Sequence, residues 1–210
     1  MSCGYRALVR VLAFVPGARV FKSFIVACVI ALLAAGSAVA ATVRPLLLDE
    51  IIDSAAVAFQ GTCTANRVEL DTATKFIVTY TTFEVRDVIK GDVSATHVIK
   101  QIGGVFPDGE SGMIVQGVPK FIVGEEYVVF LAGVSSLGFS SPVGLSQGRF
   151  AVQQSPEGKS VANGKDFREL TARMTRAAIP ANDTGTSVPL KQLGLEEFKQ
   201  MARTHASHRE

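Results

Sequence analysis

Residues 75–89 read KFIVTYTTFEVRDVI, and this stretch decides the fold. Its β-branched and aromatic residues are typical of a strand. Successive side chains of a strand point to opposite faces, so Phe76 and Val78 share one face while Ile77 and Phe83 share the other. Apolar residues on both faces predict a long, curved strand shared by two layers, as in a small barrel.

Shorter apolar segments separated by glycine turns lie on both sides of this strand, which favours an antiparallel arrangement. No helix-length periodic segment separates them, so a parallel α/β fold is disfavoured. The sequence predicts a mainly β fold, a small antiparallel OB-like barrel or sandwich. We expect its other strands at 56–68, 97–102, 121–123, 127–131, 137–141 and 149–153, with room for a short one at 113–115.

Helical spacing of apolar residues occurs only near the two ends of this β region. A short N-terminal helix is predicted at 47–54, and two C-terminal helices, one at about 165–178 and one around Phe198, flank a linker at 180–189. The predicted organisation is a β-barrel-like domain at 41–161 and a helical C-terminal extension at 162–210. The spacing leaves open whether these helices pack on the barrel or form a loosely attached tail.

The first forty residues have the pattern of a secretory signal peptide. Four basic and no acidic residues precede or flank an apolar run of 12 residues, Phe24 to Ala35, and a small-residue A-x-A end follows. A membrane span needs about 20 apolar residues, so this run is short for one. We expect cleavage after Ala40 and a periplasmic or secreted protein with no membrane span, the alternative being an uncleaved anchor.

Removing residues 1–40 changes the charge and the cysteine count. The 210-residue chain has a net charge of +2, but residues 41–210 keep 17 of 21 basic and all 19 acidic residues, which leaves −2. Neither value provides the basic footprint of a nucleic-acid-binding protein. Of three cysteines only Cys63 remains, so no internal disulfide is possible. We interpret Cys63 as a small buried hydrophobe, with a nucleophile or an intermolecular bridge as alternatives.

The order of these segments resembles a known group. PLLLDEIIDSA, VAFQGTC, YTTFEVRDVIKGD, GG, PKFIVGEEYVVFLAG and GLSQGRFAV follow one another over residues 44–153. This order resembles a widespread group of uncharacterised exported bacterial proteins with one small β-barrel-like domain, VIKGD and VGEEYVVFL being the most specific parts. The resemblance implies architecture and export rather than a chemistry.

A more distant resemblance concerns the strand, KG turn and strand layout, which is similar to the OB-like barrel of netrin modules and tissue inhibitors of metalloproteinases. Those inhibitors chelate the protease zinc through an amino-terminal cysteine. Here the predicted first residue is Ala41 and the disulfide framework is absent, so that mechanism does not carry over. Likeness of fold alone does not imply function.

Residues 144–148, GLSQG, fit the G-x-S-x-G pattern of a serine hydrolase. That nucleophile elbow needs a buried strand before the serine and a helix after it, whereas a strand-like segment follows Ser146. The candidate bases His205 and His208 lie in the last six residues. We therefore interpret the glycines as turn residues. An exported serine or cysteine hydrolase using Ser146 or Cys63 stays as the alternative function.

Other polar clusters fall short of a metal or cofactor site, and we expect none. His205, His208 and Glu210 lie on a terminal segment that provides no braced scaffold, and His97 stands alone. Acidic residues in the 47–54 helix are typical of a helix start. The D-G-E at 108–110 lacks the ligand count of a calcium loop.

The segment 103–119 is long for a connection between strands, and such loops are often functional. It carries the apolar residues Val105, Phe106, Met113 and Ile114. We expect these four to form a recognition surface, since OB-like barrels bind through loops and one open face. The leading hypothesis is an exported, non-catalytic binding or accessory domain for an envelope or extracellular protein or a surface polymer. A structural accessory docking through its C-terminal helices is a third hypothesis.

Overall fold

The computed structural model describes residues 44–156, 158–174 and 190–208, which all belong to one compact unit, Val43–Glu210. The predicted signal peptide and the linker at 180–189 lie outside these ranges. The described elements are helices α1 (Leu48–Ser54), α2 (Phe167–Leu170) and α3 (Leu195–Ser207), and strands β1 (Val57–Leu70), β2 (Ile77–Lys90), β3 (Thr96–Ile102), β4 (Gly104–Val105), β5 (Gly112–Met113), β6 (Glu126–Leu131), β7 (Arg149–Ser155), β8 (Gly158–Ala162) and β9 (Leu193–Gly194).

The fold is mainly β and antiparallel, as predicted. Seven strands form one sheet in the order β3-β2-β1-β6-β7-β8-β9, and β4 pairs with β5 separately. Within the described residues β3 and β9 remain the two ends of the order, so the sheet does not close into a barrel. The loop after β6 contacts the outer edge of β3, where the Ser140 N–H donates to the Lys100 carbonyl at 3.0 Å.

Strands β1 and β2 are the longest elements, with 14 residues each. Their pairing shifts register at three places, between Ala58 and Phe59, Gln60 and Gly61, and Cys63 and Ala65. Each irregularity bends the strand and increases its twist. The curvature gives the sheet two buried faces, which agrees with the apolar residues found on both faces of residues 75–89.

The three helices pack on one face of the sheet. We call the hydrophobic core between the helices and this face the helix-side core. Phe198 of α3 lies 4.7 Å from Phe150 of β7 and 6.0 Å from Phe130 of β6, measured between ring centroids. Ile51 of α1 and Phe167 of α2 are buried in the same cluster. The C-terminal helices therefore pack on the sheet.

The opposite face forms the loop-side core, around Phe59, Cys63, Phe83, Phe121 and Tyr127. Its rings meet edge to face, with Phe83 and Phe121 at 4.9 Å and Phe121 and Tyr127 at 5.1 Å. Phe121 belongs to the segment that precedes β6. This core thus joins the connecting loop to the sheet.

Three predicted elements differ in the structure. Residues 121–123 and 137–141 are not strands. In the first, Phe121 faces the loop-side core while Ile122 and Val123 are exposed and the Tyr127 hydroxyl accepts from the Ile122 N–H. Of the helix predicted at 165–178, the described residues form α2 and a turn over residues 171–174, where the Thr171 hydroxyl donates to the Phe167 carbonyl at 2.6 Å. Residues beyond 174 lie outside the described ranges.

Among the described residues no helix combines the length and the apolar character needed to cross a membrane.

Candidate functional site

A pocket of about 240 Å³ lies between the 103–119 segment and the loop-side face of the sheet. Strands β1, β2 and β3 form its floor, and the connecting segment forms its walls. The floor is mixed, with the polar residues Asn66, Thr79, Thr81 and Gln101 and the apolar residues Val68 and Ile102. The walls are apolar and include Val105, Met113, Ile114, Val115 and Val118.

The antiparallel register brings the floor residues together. Thr79 of β2 lies opposite Val68 of β1 on one side and Gln101 of β3 on the other. Asn66 pairs with Thr81 one step further along the same face. Because alternate residues of a strand share a face, this polar row continues the loop-side core toward the pocket.

Most polar groups of the floor are already hydrogen-bonded. The Thr79 hydroxyl donates to the Gly103 carbonyl at 2.7 Å, and the Thr81 hydroxyl donates to Asn66 Oδ1 at 2.7 Å. Asn66 in turn donates through Nδ2 to the Phe121 carbonyl at 2.8 Å. These bonds fix the floor to both ends of the wall segment.

Gln101 is the exception among the floor residues. Its side chain is buried, with 3% of the residue exposed, and its Nε2 atom has no hydrogen-bond partner. Leaving a buried amide donor unpaired costs about 1–3 kcal/mol. Gln101, one of the residues that line the pocket, thus carries a buried amide nitrogen for which the described part of the fold supplies no acceptor.

The wall segment is ordered by its own turns. Strands β4 and β5 form a short hairpin, at whose tip the Asp108 carboxylate accepts from the backbone N–H groups of Glu110 at 3.0 Å and Ser111 at 3.3 Å. Gly104 lies so close to the floor that an added Cβ would stand 2.9 Å from Val68 Cγ1, and its φ of 149° suits glycine. A larger residue there would push the wall off the sheet.

Three of the four predicted recognition residues line this pocket: Val105, Met113 and Ile114. Phe106 does not line it and is half-buried in the hairpin. Sequence reasoning missed the floor, and Gln101 above all. The sequence did contain a signal for the floor. On one face of β2, Thr79 and Thr81 occupy positions where apolar residues are expected.

The floor itself carries no charged group among the residues described, and Lys120 is the only charged side chain at the pocket's edge. Cys63 lies deeper in the loop-side core, where burial raises the pKa of its thiol. A raised pKa leaves little thiolate at neutral pH, which is the opposite of an activated nucleophile. Desolvation likewise lowers the pKa of His97, whose ring packs 5.3 Å from that of Phe59.

Ser146 is exposed in a single 3-10 turn, Leu145–Gly148, that leads into β7 rather than into an α-helix. Across the described ranges no hydrogen bond joins Ser146 to a histidine, and His205 Nε2 lies 2.9 Å from Asp53 Oδ1 instead. Gly148 is needed for packing, because a Cβ there would stand 2.8–2.9 Å from three backbone atoms. The glycines of this motif make a turn, as expected.

The part of the chain that the structure describes contains no group of three or more histidine, cysteine, aspartate or glutamate side chains able to hold a metal ion. Glu210 lies outside the described residues. In α1, Glu50 accepts from the Leu47 N–H at 3.0 Å, and this bond above all holds the pKa of its carboxyl below the usual range. Its carboxylate therefore acts at the start of the helix.

Comparison with protein-family models, with curated proteins and with solved structures gives no match for this chain.

Proposed function

We propose that this chain is an exported, non-catalytic binding domain that recognises an envelope or extracellular partner through the pocket at 103–119. The observation that carries the proposal is the pocket itself, whose walls are apolar and partly exposed while its floor holds several polar side chains. Clefts lined by apolar side chains with a few polar groups are the usual form of binding sites.

Exposed apolar side chains beside the pocket support the same reading. Ile114 is 77% exposed and Val105 is 39% exposed, and both belong to the walls. Apolar side chains gathered beside a pocket are typical of interaction sites. Export rests on the signal-peptide pattern of residues 1–40 and remains part of the proposal.

The test is capture of the partner by the protein produced from its full sequence in its native host. Envelope and culture-fluid fractions are crosslinked, and molecules that co-purify are identified by mass spectrometry. We expect a stoichiometric partner, and at least about a fivefold loss of it in Ile114→Ser, because an anchor residue carries at least that much affinity. The first residue of the purified chain should be Ala41.

Ile122→Ser is the matched control, because Ile122 is 57% exposed and does not line the pocket. It should retain the partner at the level of the unmodified protein. Equal recovery from both variants would place recognition elsewhere on the molecule. A chain that keeps residues 1–40 and stays in the membrane fraction would refute the export part.

A further inference from the structure

Four apolar side chains are exposed on two loops that meet at one end of the sheet. We call them the apolar tip: Leu70, Phe76, Val134 and Leu137. The first two flank the turn between β1 and β2, and the last two belong to the loop after β6. Lys100 lies between the two loops, because its Nζ atom is 3.1 Å from Asp71 Oδ2 and 3.1 Å from the Leu137 carbonyl. The tip is therefore one surface made by two loops.

Several polar groups beside the apolar tip are paired within their own loop. In the β1–β2 turn the Asp71 carboxylate accepts from the Thr74 N–H at 3.0 Å and from the Thr74 hydroxyl at 2.6 Å. The Asp71 N–H donates to the Phe76 carbonyl at 2.8 Å. In the loop after β6 the Ser135 N–H donates to the Phe139 carbonyl at 2.8 Å, and the Phe139 N–H donates to the Ser135 hydroxyl at 3.0 Å. Because an unpaired polar group is costly in an apolar medium, these bonds lower the cost of moving both loops out of water.

The turn at the apolar tip carries one positive charge without a counter-charge. Asp71 is paired with Lys100, and Glu69 is paired with Arg67. Lys75 is exposed in the turn, and no carboxylate among the described residues forms an ion pair with it. Its φ of 61° is a conformation that residues other than glycine rarely adopt. The fold thus holds a lysine beside the apolar side chains at a position that would suit glycine.

We propose that the apolar tip inserts into the surface of a lipid bilayer, with the Lys75 ammonium among anionic headgroups. This inference goes beyond the proposed function, because none of the four tip residues lines the pocket at 103–119. Exposed apolar side chains grouped on a surface mark contacts with membranes or with other proteins. At an anionic bilayer the burial of apolar surface and the attraction of a cation to the headgroups add together.

The arrangement of the tip favours lipid over a folded protein partner. The core of a protein interface is packed as densely as a protein interior and needs matching shapes. The apolar residues of each loop are separated by small exposed residues, among them Ala73, Ser135 and Ser136. Lipid chains are fluid and adjust to such side chains, so binding grows with the apolar area inserted rather than with matched shape.

The chain has no tryptophan, so Phe76→Trp places a single fluorescent reporter in the apolar tip. The protein produced from its full sequence is mixed with vesicles of phosphatidylethanolamine and phosphatidylglycerol. We expect the emission to move to shorter wavelength, because the indole leaves water. The reporter reads position 76 alone, so attachment through residues 1–40 does not produce this shift.

Ile122→Trp is the matched control for the reporter. Ile122 is also exposed, but it lies two residues before Gly124, whose N–H donates to the Cys63 carbonyl. Cys63 is seven residues along β1 from Leu70, a distance of about 20 Å. The emission of this variant should stay unchanged when vesicles are added.

Two changes in the Phe76→Trp background measure the apolar and the ionic contribution. Leu137→Ser should weaken vesicle binding about tenfold or more, because one leucine side chain no longer enters the lipid. Lys75→Gln should weaken it about fivefold, since one cation near an anionic surface is lost. Lys165→Gln makes the same chemical change at an exposed lysine before α2 and should have no effect. The thermal midpoint of each variant shows that it is folded.

No shift in Phe76→Trp, an equal shift in Ile122→Trp, or unchanged binding in Leu137→Ser would each overturn the inference. A shift that appears without vesicles as the protein concentration rises would overturn it in favour of a contact between copies of this chain. Equal binding to phosphatidylcholine vesicles would refute the contact with anionic headgroups. Ile114→Ser should bind vesicles as the unmodified protein does, so the pocket and the tip are tested separately.

Discussion

Gly148 and Ser146 occupy one motif, and the structure gives them very different surroundings. Gly148 lies against the Val143 N–H, the Val143 carbonyl and the Phe130 carbonyl, so tightly that no Cβ fits. Ser146, two residues earlier, is exposed. A motif that suggests catalysis by its serine therefore contributes to the fold through its last glycine.

Gly148→Ala should lower the free energy of unfolding by about 1–3 kcal/mol, the usual cost of overpacking a well-packed position. Ser146→Ala should change it by less than about 0.5 kcal/mol, as an exposed substitution does. Chemical denaturation of both variants measures the difference. Equal stability of the two would mean that the turn relaxes easily, and loss of a hydrolytic activity in Ser146→Ala would revive the hydrolase alternative.

At the scale of elements, α3 is attached to the sheet by both apolar and ionic contacts. Phe198 packs among the rings of the helix-side core. The next residue, Lys199, donates from Nζ to Gln60 Oε1 at 2.9 Å and to Asp87 Oδ2 at 2.8 Å, although Lys199 is buried. Arg203 pairs with the other oxygen of Asp87. Buried Lys199 and partly buried Asp87 thus both have partners, which offsets the cost of taking their charges out of water.

Phe198→Ala should destabilise the protein by about 3–5 kcal/mol, because it leaves a cavity among the rings of Phe130, Phe150 and Phe167. Gln200→Ala changes an exposed residue of the same helix and should be close to neutral. The free energy of unfolding from urea titration gives both values. A small effect of Phe198→Ala would indicate that α3 is only loosely attached.

The whole molecule depends on pH through its partly buried carboxylates. Burial alone would raise the pKa of Asp87, but the hydrogen bonds from Lys199 and Arg203 outweigh it and lower the pKa. Glu126 behaves in the same way, with burial opposed by Lys159 and Gln60. A lowered pKa means that the ionised form stabilises the fold. That stability is fully present above the unfolded pKa of about 4 and is lost as pH falls through the folded pKa.

We therefore expect the free energy of unfolding to fall between about pH 5 and pH 2. Asp87→Asn should be less stable than the unmodified protein at pH 7 and should show a shallower decline over this range. Asp92→Asn, at an exposed position after β2, should keep the full decline. Urea titrations at pH 7, 5 and 3 measure it. An unchanged slope in Asp87→Asn would refute the contribution of this carboxylate.

Much of this architecture could be predicted because local patterns decide it. The β-branched run that contains Thr79 and Phe83 indicated β2. The helical spacing of Leu48, Ile51 and Ala55 indicated α1. Residues 121–123 were wrongly predicted as a strand. Consecutive apolar residues also occur in loops, and here one of them, Phe121, packs into the loop-side core. The order of the strands depends on long-range pairing, which no local pattern specifies.

The sequence predicted residues of the pocket walls but not those of its floor. Val105, Met113 and Ile114 stood out as apolar residues in a long loop. Gln101 did not, because a glutamine near the end of a strand looks like any solvated residue. It is buried on the sheet face that lines the pocket with the wall segment, and the missing acceptor becomes visible only when the hydrogen bonds of all neighbouring groups are known.

The bond between Lys199 and Gln60 joins positions 139 residues apart. At a synthesis rate of about 5–20 residues per second, Gln60 leaves the ribosome roughly 7 to 28 seconds before its partner exists. During that interval the face of β1 that α3 later covers is without its cover. The nascent chain therefore spends seconds as an incomplete sheet, long enough for a chaperone to bind it and for folding to wait until the chain is whole.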